Sequence, residues 1–151
     1  MSELSSSSLQ FPYVRFSVFD PLTKRRSAVY RPVIPVRLRS AKLSLRCQGL
    51  IDSGADECIF PGEIATALGF PLLEGKPRAF SGIGGSVTGY LHWTVLEVGT
   101  NHFRCPVYYS DAWNHLRFGL LGQVGFLSHF KVILNHYARA AELLPTPARQ
   151  R

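Results

Sequence analysis

Acidic residues, cysteines and long apolar runs are all scarce in this chain. Ten Asp and Glu stand against 17 Lys and Arg, a net charge of +7. Such a surplus admits nucleic acid, an anionic membrane or an acidic substrate as a partner. The basic residues are scattered, with only Lys24-Arg25-Arg26 forming a cluster, so the charge reads mainly as solubility and nucleic acid is the disfavoured partner. No apolar stretch approaches the roughly 20 residues that cross a bilayer, and no membrane span is expected. Met1 to Gln10 has neither a basic region nor an apolar core, so no secretory signal is expected there. Three cysteines, Cys47, Cys58 and Cys105, are widely spaced and odd in number. They make neither a disulfide framework nor a zinc pattern, and fit reduced, buried thiols in a cytoplasmic protein.

Other absences exclude particular chemistries. His92, His102, His115, His129 and His136 show no HExxH or finger spacing, so no metal is expected and ordinary surface or core roles fit each of them. Gly82-x-Gly84-Gly85 carries Val87 where a dinucleotide loop needs its third glycine. No βαβ pattern surrounds it, and no cofactor is expected. Ser53 lacks the Gly-x-Ser-x-Gly elbow of a hydrolase nucleophile. Trp93 and Trp113 read as core or interface aromatics.

What remains is a globular composition, 46% apolar and 18% charged over 151 residues, enough for one domain with a real core. Residues 1–10, with the serine run Ser5 to Ser8, read as a disordered lead-in, 11–144 as the domain and 145–151 as a flexible tail. Phe11 to Phe19 is strand-like and ends at the turn Asp20-Pro21. Val33 to Leu38 alternates, and Pro35 within it argues for an edge strand or bulge. Leu43, Leu45 and Cys47 share a face of the next strand. Pro61 and Gly62 open a short helix through Leu68, stopped by Gly69. Ala79 to Leu91, with Gly82, Gly84, Gly85 and Gly89, reads as a mobile hairpin. Trp93 to Val98 and Phe103 to Tyr109 form another hairpin. Asp111 to His115 reads as a helical turn and Phe118 to Gly122 as a buried strand. A short helix at Val124 to Ser128 leads to a last strand at Phe130 to Leu134, and Tyr137 to Leu144 has helical spacing. Many short strands, few helices and no repeat predict an all-β barrel or sandwich.

One stretch stands apart. Leu50-Ile51 reads as a buried strand end running into Asp52-Ser53-Gly54, a tight turn in which Gly54 is free to take a positive φ. Apolar residues return at Cys58, Ile59 and Phe60. A carboxylate so closely flanked is costly to bury unless it is paired or hydrogen-bonded. A surface turn is the plain alternative.

Three features in order, Leu50-Ile51-Asp52-Ser53-Gly54-Ala55-Asp56, Ser81-Gly82-Ile83-Gly84-Gly85 and Leu120-Leu121-Gly122, resemble the retropepsins, the retroviral-type aspartic proteases. The resemblance runs from about Val33 to Asn135. It implies a closed β-barrel with a flap hairpin and one or two short helices, acting as a homodimer on a peptide or protein. Asp52 would be the catalytic carboxylate, and Ser53 and Gly54 the rest of its loop. Ala55, Asp56, Ile83, Gly84, Gly85 and Leu121 would bind substrate, and the flap would close over the peptide. In that family two carboxylates share one proton, because like charges so close cannot both ionise; one then deprotonates water while the other protonates the carbonyl oxygen. This chain has a single Asp-Ser-Gly, since Asp20, Asp56 and Asp111 precede Pro21, Glu57 and Ala112. The second Asp52 must come from a second copy across a two-fold axis. Gln123 stands where retroviral members usually carry arginine, which leaves the support of Asp56 open. Two other functions compete. One is a catalytically inactive binding or dimerisation module on the same fold. The other is a basic nucleic-acid-binding β-barrel, for which no aromatic-and-basic signature is present.

Overall fold

Apolar alternation dominates the middle of the chain, and the computed structural model, which describes residues 7–147, turns it into a closed sheet. In chain order the strands are β1 (Leu9–Pro12), β2 (Val14–Asp20), β3 (Arg25–Arg31), β4 (Val33–Arg39), β5 (Ser44–Ile51) and β6 (Cys58–Pro61). The single α-helix among the described residues, α1 (Gly62–Ala67), follows. Then come β7 (Lys76–Gly82), β8 (Gly85–Val98), β9 (Asn101–Ser110), β10 (Gly119–Leu121), β11 (Phe130–Asn135) and β12 (Ala140–Pro145).

Six strands in the order β4-β5-β10-β6-β9-β8 make the barrel, and Arg37 to Arg39 of β4 pairing with Val95 to Glu97 of β8 closes it. The inward residues of each strand, spaced by two as the pleat requires, supply the core: Ile34 and Leu38 from β4, Leu96 and Val98 from β8, Val107 and Tyr109 from β9, all with essentially no exposed surface. Burying each such side chain contributes on the order of 1.5–3 kcal/mol. A hydroxyl pair, Thr94 Oγ1 to Tyr109 Oη at 3.0 Å, satisfies the polar atoms that enter this core. The short β10 slots parallel beside β5. It fits because Gly49 has no side chain: a Cβ there would lie 2.6 Å from Leu121 Cγ.

Two smaller sheets attach outside the barrel. β12 lies between β1 and β11, so the two ends of the described chain are joined in one three-stranded sheet. Among the described residues, β2 and β3 pair only with each other.

The all-β barrel, the hairpin at Ala79 to Leu91 and the helix stopped by Gly69 (φ +78°) agree with expectation. Four details differ. The expected helix at Tyr137 to Leu144 is a turn, with Arg139 at φ +52°, followed by β12. Its Ala, Glu and Leu residues favour helix locally, but pairing on both sides of β12 and burial of Ala141 and Leu143 override that propensity. The helix expected at Val124 to Ser128 shrinks to a 3₁₀ turn at Leu127–His129. β4 is an edge only along its first half, where Pro35 sits opposite Gln48 of β5; β8 joins on the other side from Arg37 onward, beyond the proline. Finally, Leu9 and Gln10, expected within a disordered lead-in, are paired with Leu143 and Glu142 of β12, and Pro145, expected in the tail, is paired with Phe130. Residues 1–6 and 148–151 of that lead-in and tail lie outside the described residues.

Candidate active site

β5 delivers Asp52 directly after the buried Ile51, and the chain turns at Ser53-Gly54 before entering the fully buried β6. The turn is closed locally and from below. Gly54 N–H donates to Asp52 Oδ1 at 2.9 Å, and Ala55 N–H to the Asp52 carbonyl at 3.2 Å. Beneath it runs the segment leaving β10. Asp52 N–H donates to the Leu121 carbonyl at 3.1 Å, Gln123 N–H to the Ala55 carbonyl at 2.9 Å, and Val124 N–H to the Asp56 carbonyl at 2.8 Å. Gly122 lies at the crossing, where a Cβ would collide with the Glu57 carbonyl and sit 2.6 Å from that of Ala55. Gln123 adds a side-chain bond, Nε2 to the Ser53 carbonyl at 3.2 Å. The carboxylate of Asp52 is therefore held on a turn whose backbone is tied on both flanks.

Above the turn lies a cleft of about 850 Å³. Asp52, Gly54, Ala55 and Asp56 form its floor; Ile83, Gly84 and Gly85 belong to the hairpin that overhangs it. β7 and β8 are joined by the two-residue turn Ile83-Gly84, between the paired Gly82 and Gly85. Gly85, at φ +117°, occupies a conformation that only glycine adopts without strain. Ile83 at the tip is fully exposed, an apolar side chain that none of the described residues covers. The hairpin is tethered at its root, where Arg78 Nη1 of β7 meets Glu57 Oε1 at 2.6 Å. The Arg78 guanidinium also stands over the rings of Phe80 and Tyr108, 5.3 and 5.8 Å from their centroids. Hydrogen bonds that the guanidinium donates to Tyr108 and Glu57, named in order of effect, raise the Arg78 pKa above its ordinary value.

Of the residues picked from sequence, Asp52, Gly54, Ala55, Asp56, Ile83, Gly84 and Gly85 meet at this cleft. Ser53 belongs to the same turn and points its carbonyl at Gln123. Leu121 does not line the cleft: it is wholly buried against Gly49, and its neighbour Leu120 faces the cleft instead. The two leucines alternate across β10, so only one can face the floor. Gly54 is not among the glycines with positive φ. Asp52 is half-buried rather than enclosed. Asp56 is exposed, and Gln123 supports Ser53 rather than the Asp56 side chain.

Sequence reading missed Arg78, Phe80, Trp113 and His115, all of which line the cleft. Arg78 and Phe80 are two apart on β7, a period-two signal hidden by Pro77 and the glycines that follow. Trp113 lies in a 3₁₀ turn, Asp111–Trp113, whose position depends on α1: Gly62 packs against Asp111, and Glu63 N–H donates to Asn114 Oδ1 at 3.0 Å. No local pattern announces that.

A solved structure described as a retropepsin-like aspartic protease from Rickettsia conorii superposes with a TM-score of 0.56 at 16% identity, covering 86% of this chain and 98% of that one. The fold is retropepsin-like. The EIAV protease in complex with the inhibitor HBY-793 aligns more loosely, with a TM-score of 0.47 at 19% identity over 61% of this chain and 81% of that one. No family model and no curated protein matches the sequence. The retropepsin-like barrel thus carries Asp52 and the overhanging hairpin on opposite sides of one cleft.

Proposed function

We propose that the protein is an aspartic endopeptidase that works as a homodimer, with Asp52 of each copy at a shared site. The observation that carries this reading is a half-buried carboxylate on a doubly anchored turn, facing a glycine-tipped hairpin across a cleft of about 850 Å³. Peptide-sized space with apolar walls from Ile59, Phe80, Val87 and Leu120 suits an extended substrate.

One carboxylate per chain cannot both take a proton from water and give one to the carbonyl oxygen. Two Asp52 groups facing each other across a two-fold axis can. The ionised member takes a proton from water as its oxygen attacks the carbonyl carbon, while the protonated member gives its proton to the carbonyl oxygen. Return of a proton to the amide nitrogen then releases the amine as the C–N bond breaks. The floor amides and the hairpin position the peptide, and Ile83 supplies an apolar surface that closes over it and excludes water. The three cysteines are free, two of them buried, which supports residence in a reducing, cytoplasmic compartment.

The decisive experiment incubates the full chain with a peptide library, with and without pepstatin, beside Asp52→Asn. Cleavage that is blocked by pepstatin, absent from Asp52→Asn and lower per molecule on dilution is the expected result. Cleavage retained by Asp52→Asn would overturn the mechanism, and peptide binding with no cleavage by the wild type would assign a binding module.

A further inference from the structure

The hairpin of β2 and β3 pairs with no other strand of the described chain, and its outer half is almost wholly exposed. Its strands are seven residues each, and beyond Phe16 and Val29 nearly every residue is exposed, including Phe19 at 53% and Leu22 at 93%. An isolated two-stranded hairpin is marginal in water without something to pack on.

Its root, by contrast, is fixed at both ends. Tyr13, just before β2, donates its N–H to the Arg139 carbonyl at 2.7 Å, and the Arg139 guanidinium lies 3.6 Å from the centre of the Tyr30 ring. Phe16 meets Phe118 edge-on at 5.6 Å, close before the cleft residue Leu120. Pro32, just after β3, accepts a hydrogen bond from Ile51 N–H at 3.0 Å, and Ile51 is the residue before Asp52. The hairpin therefore leaves the body beside the turn that carries the candidate carboxylate.

We infer that this hairpin is an arm that clasps a second copy of the chain. The inference rests on the shared-site reading above: if two Asp52 turns must meet, the partner arrives where the arm departs. Seven strand residues reach roughly 23 Å, enough to lie along the flank of the neighbouring body. Charge complements that placement. The span from Val14 to Arg31 carries Arg15, Lys24, Arg25, Arg26 and Arg31 against Asp20 alone. The cleft it would meet carries the exposed carboxylate of Asp56, and the exposed Asp111 directly precedes the cleft residue Ala112. Phe19 and Leu22 supply the apolar anchors that a charged contact lacks by itself.

Sedimentation equilibrium separates the possibilities, run on the full chain in an Asp52→Asn background so that self-cleavage does not intrude. Dimerisation should be tight, weaken with salt, and weaken about tenfold or more in Phe19→Asp. Arg25→Glu with Arg26→Glu, surface changes that leave the strand pairing intact, should weaken it comparably and flatten its salt dependence. A dimer unaffected by either variant overturns the arm while leaving the shared-site reading standing. A monomer at every concentration overturns both. Cosedimentation with phosphatidylserine vesicles that both variants abolish, with dimerisation unchanged, would assign the hairpin to a membrane surface and overturn the proposal.

Discussion

Arg78 Nη1 lies 2.6 Å from Glu57 Oε1, linking the root of the overhanging hairpin to the residue behind the Asp52 turn. Glu57 is the more buried partner, 13% exposed against 46% for Arg78. The pair thus joins the overhanging hairpin to the segment that follows the Asp52 turn.

Exposed ion pairs contribute little to stability, and the solvent around Arg78 places this one in that class. Arg78→Ala should therefore lower the melting temperature by no more than a few degrees. The hairpin should respond more, because the guanidinium also covers Phe80 and Tyr108. Amide exchange over 79–88 should accelerate in the variant, and KM for a cleaved peptide should rise with kcat less affected. Unchanged exchange in that segment would show that the hairpin is held by strand pairing alone.

Gln123 Nε2 to the Ser53 carbonyl, at 3.2 Å, is the side-chain bond beneath the turn. A neutral bond of this kind contributes about 0.5–1.5 kcal/mol. Gln123→Ala should loosen the turn and cut kcat severalfold, leaving the fold intact by circular dichroism. Gln123→Glu removes the donor while keeping the shape, so it should behave like alanine. Full activity in both variants would show that the backbone bonds of Gln123 and Val124 suffice.

Gly122→Ala should be far more damaging. Its Cβ would collide with the Glu57 carbonyl and crowd that of Ala55, and backbone cannot yield as a flexible side chain can. Overpacking costs about 1–3 kcal/mol, so urea denaturation should shift by that amount and activity should vanish with the displaced turn. A variant with wild-type midpoint and rate would mean that the crossing relaxes freely.

The parts of this molecule written in local pattern were legible: the alternating barrel strands, the Asp-Ser-Gly turn, the glycine-rich hairpin and the stop at Gly69. The arm was not. β3, Arg25–Arg31, reads as a basic cluster running into mixed residues, and its strand state comes from pairing with β2 rather than from an apolar face. β12 was misread because its alternation, Ala141 and Leu143 inward, coincides with good helix formers. Leu120 and Leu121 could not be assigned to cleft and core from sequence, since the register of β10 against Gly49 decides which faces inward. Trp113 and Arg78 reach the cleft only once α1 and β7 are in place.

The shielded thiols make the fold sensitive to alkaline pH. Burial, partial for Cys47, pushes Cys47 and Cys58 from the ordinary value of 9.0 up to about 12, and raises Cys105 and Tyr109 as well. Desolvation is the leading cause in each, because the thiolate or phenolate would lose its water inside the barrel. The sign follows from which state ionises first. Unfolded thiols lose protons from about pH 9, whereas the folded ones hold theirs until about 12. Stability is therefore complete below pH 9 and falls as the pH rises through 9 to 12, by about 1 kcal/mol for each such thiol at pH 10. Urea midpoints measured from pH 7 to 10.5 should stay level and then decline. Cys58→Ala should soften that decline, at the cost of a lower midpoint at pH 7 from the atoms lost beside Gly125 and Val124. Iodoacetamide at pH 8 should leave Cys58 and Cys105 unmodified in the native protein and label both in urea. A midpoint flat to pH 10.5, or rapid native labelling of Cys58, would contradict a dry barrel interior.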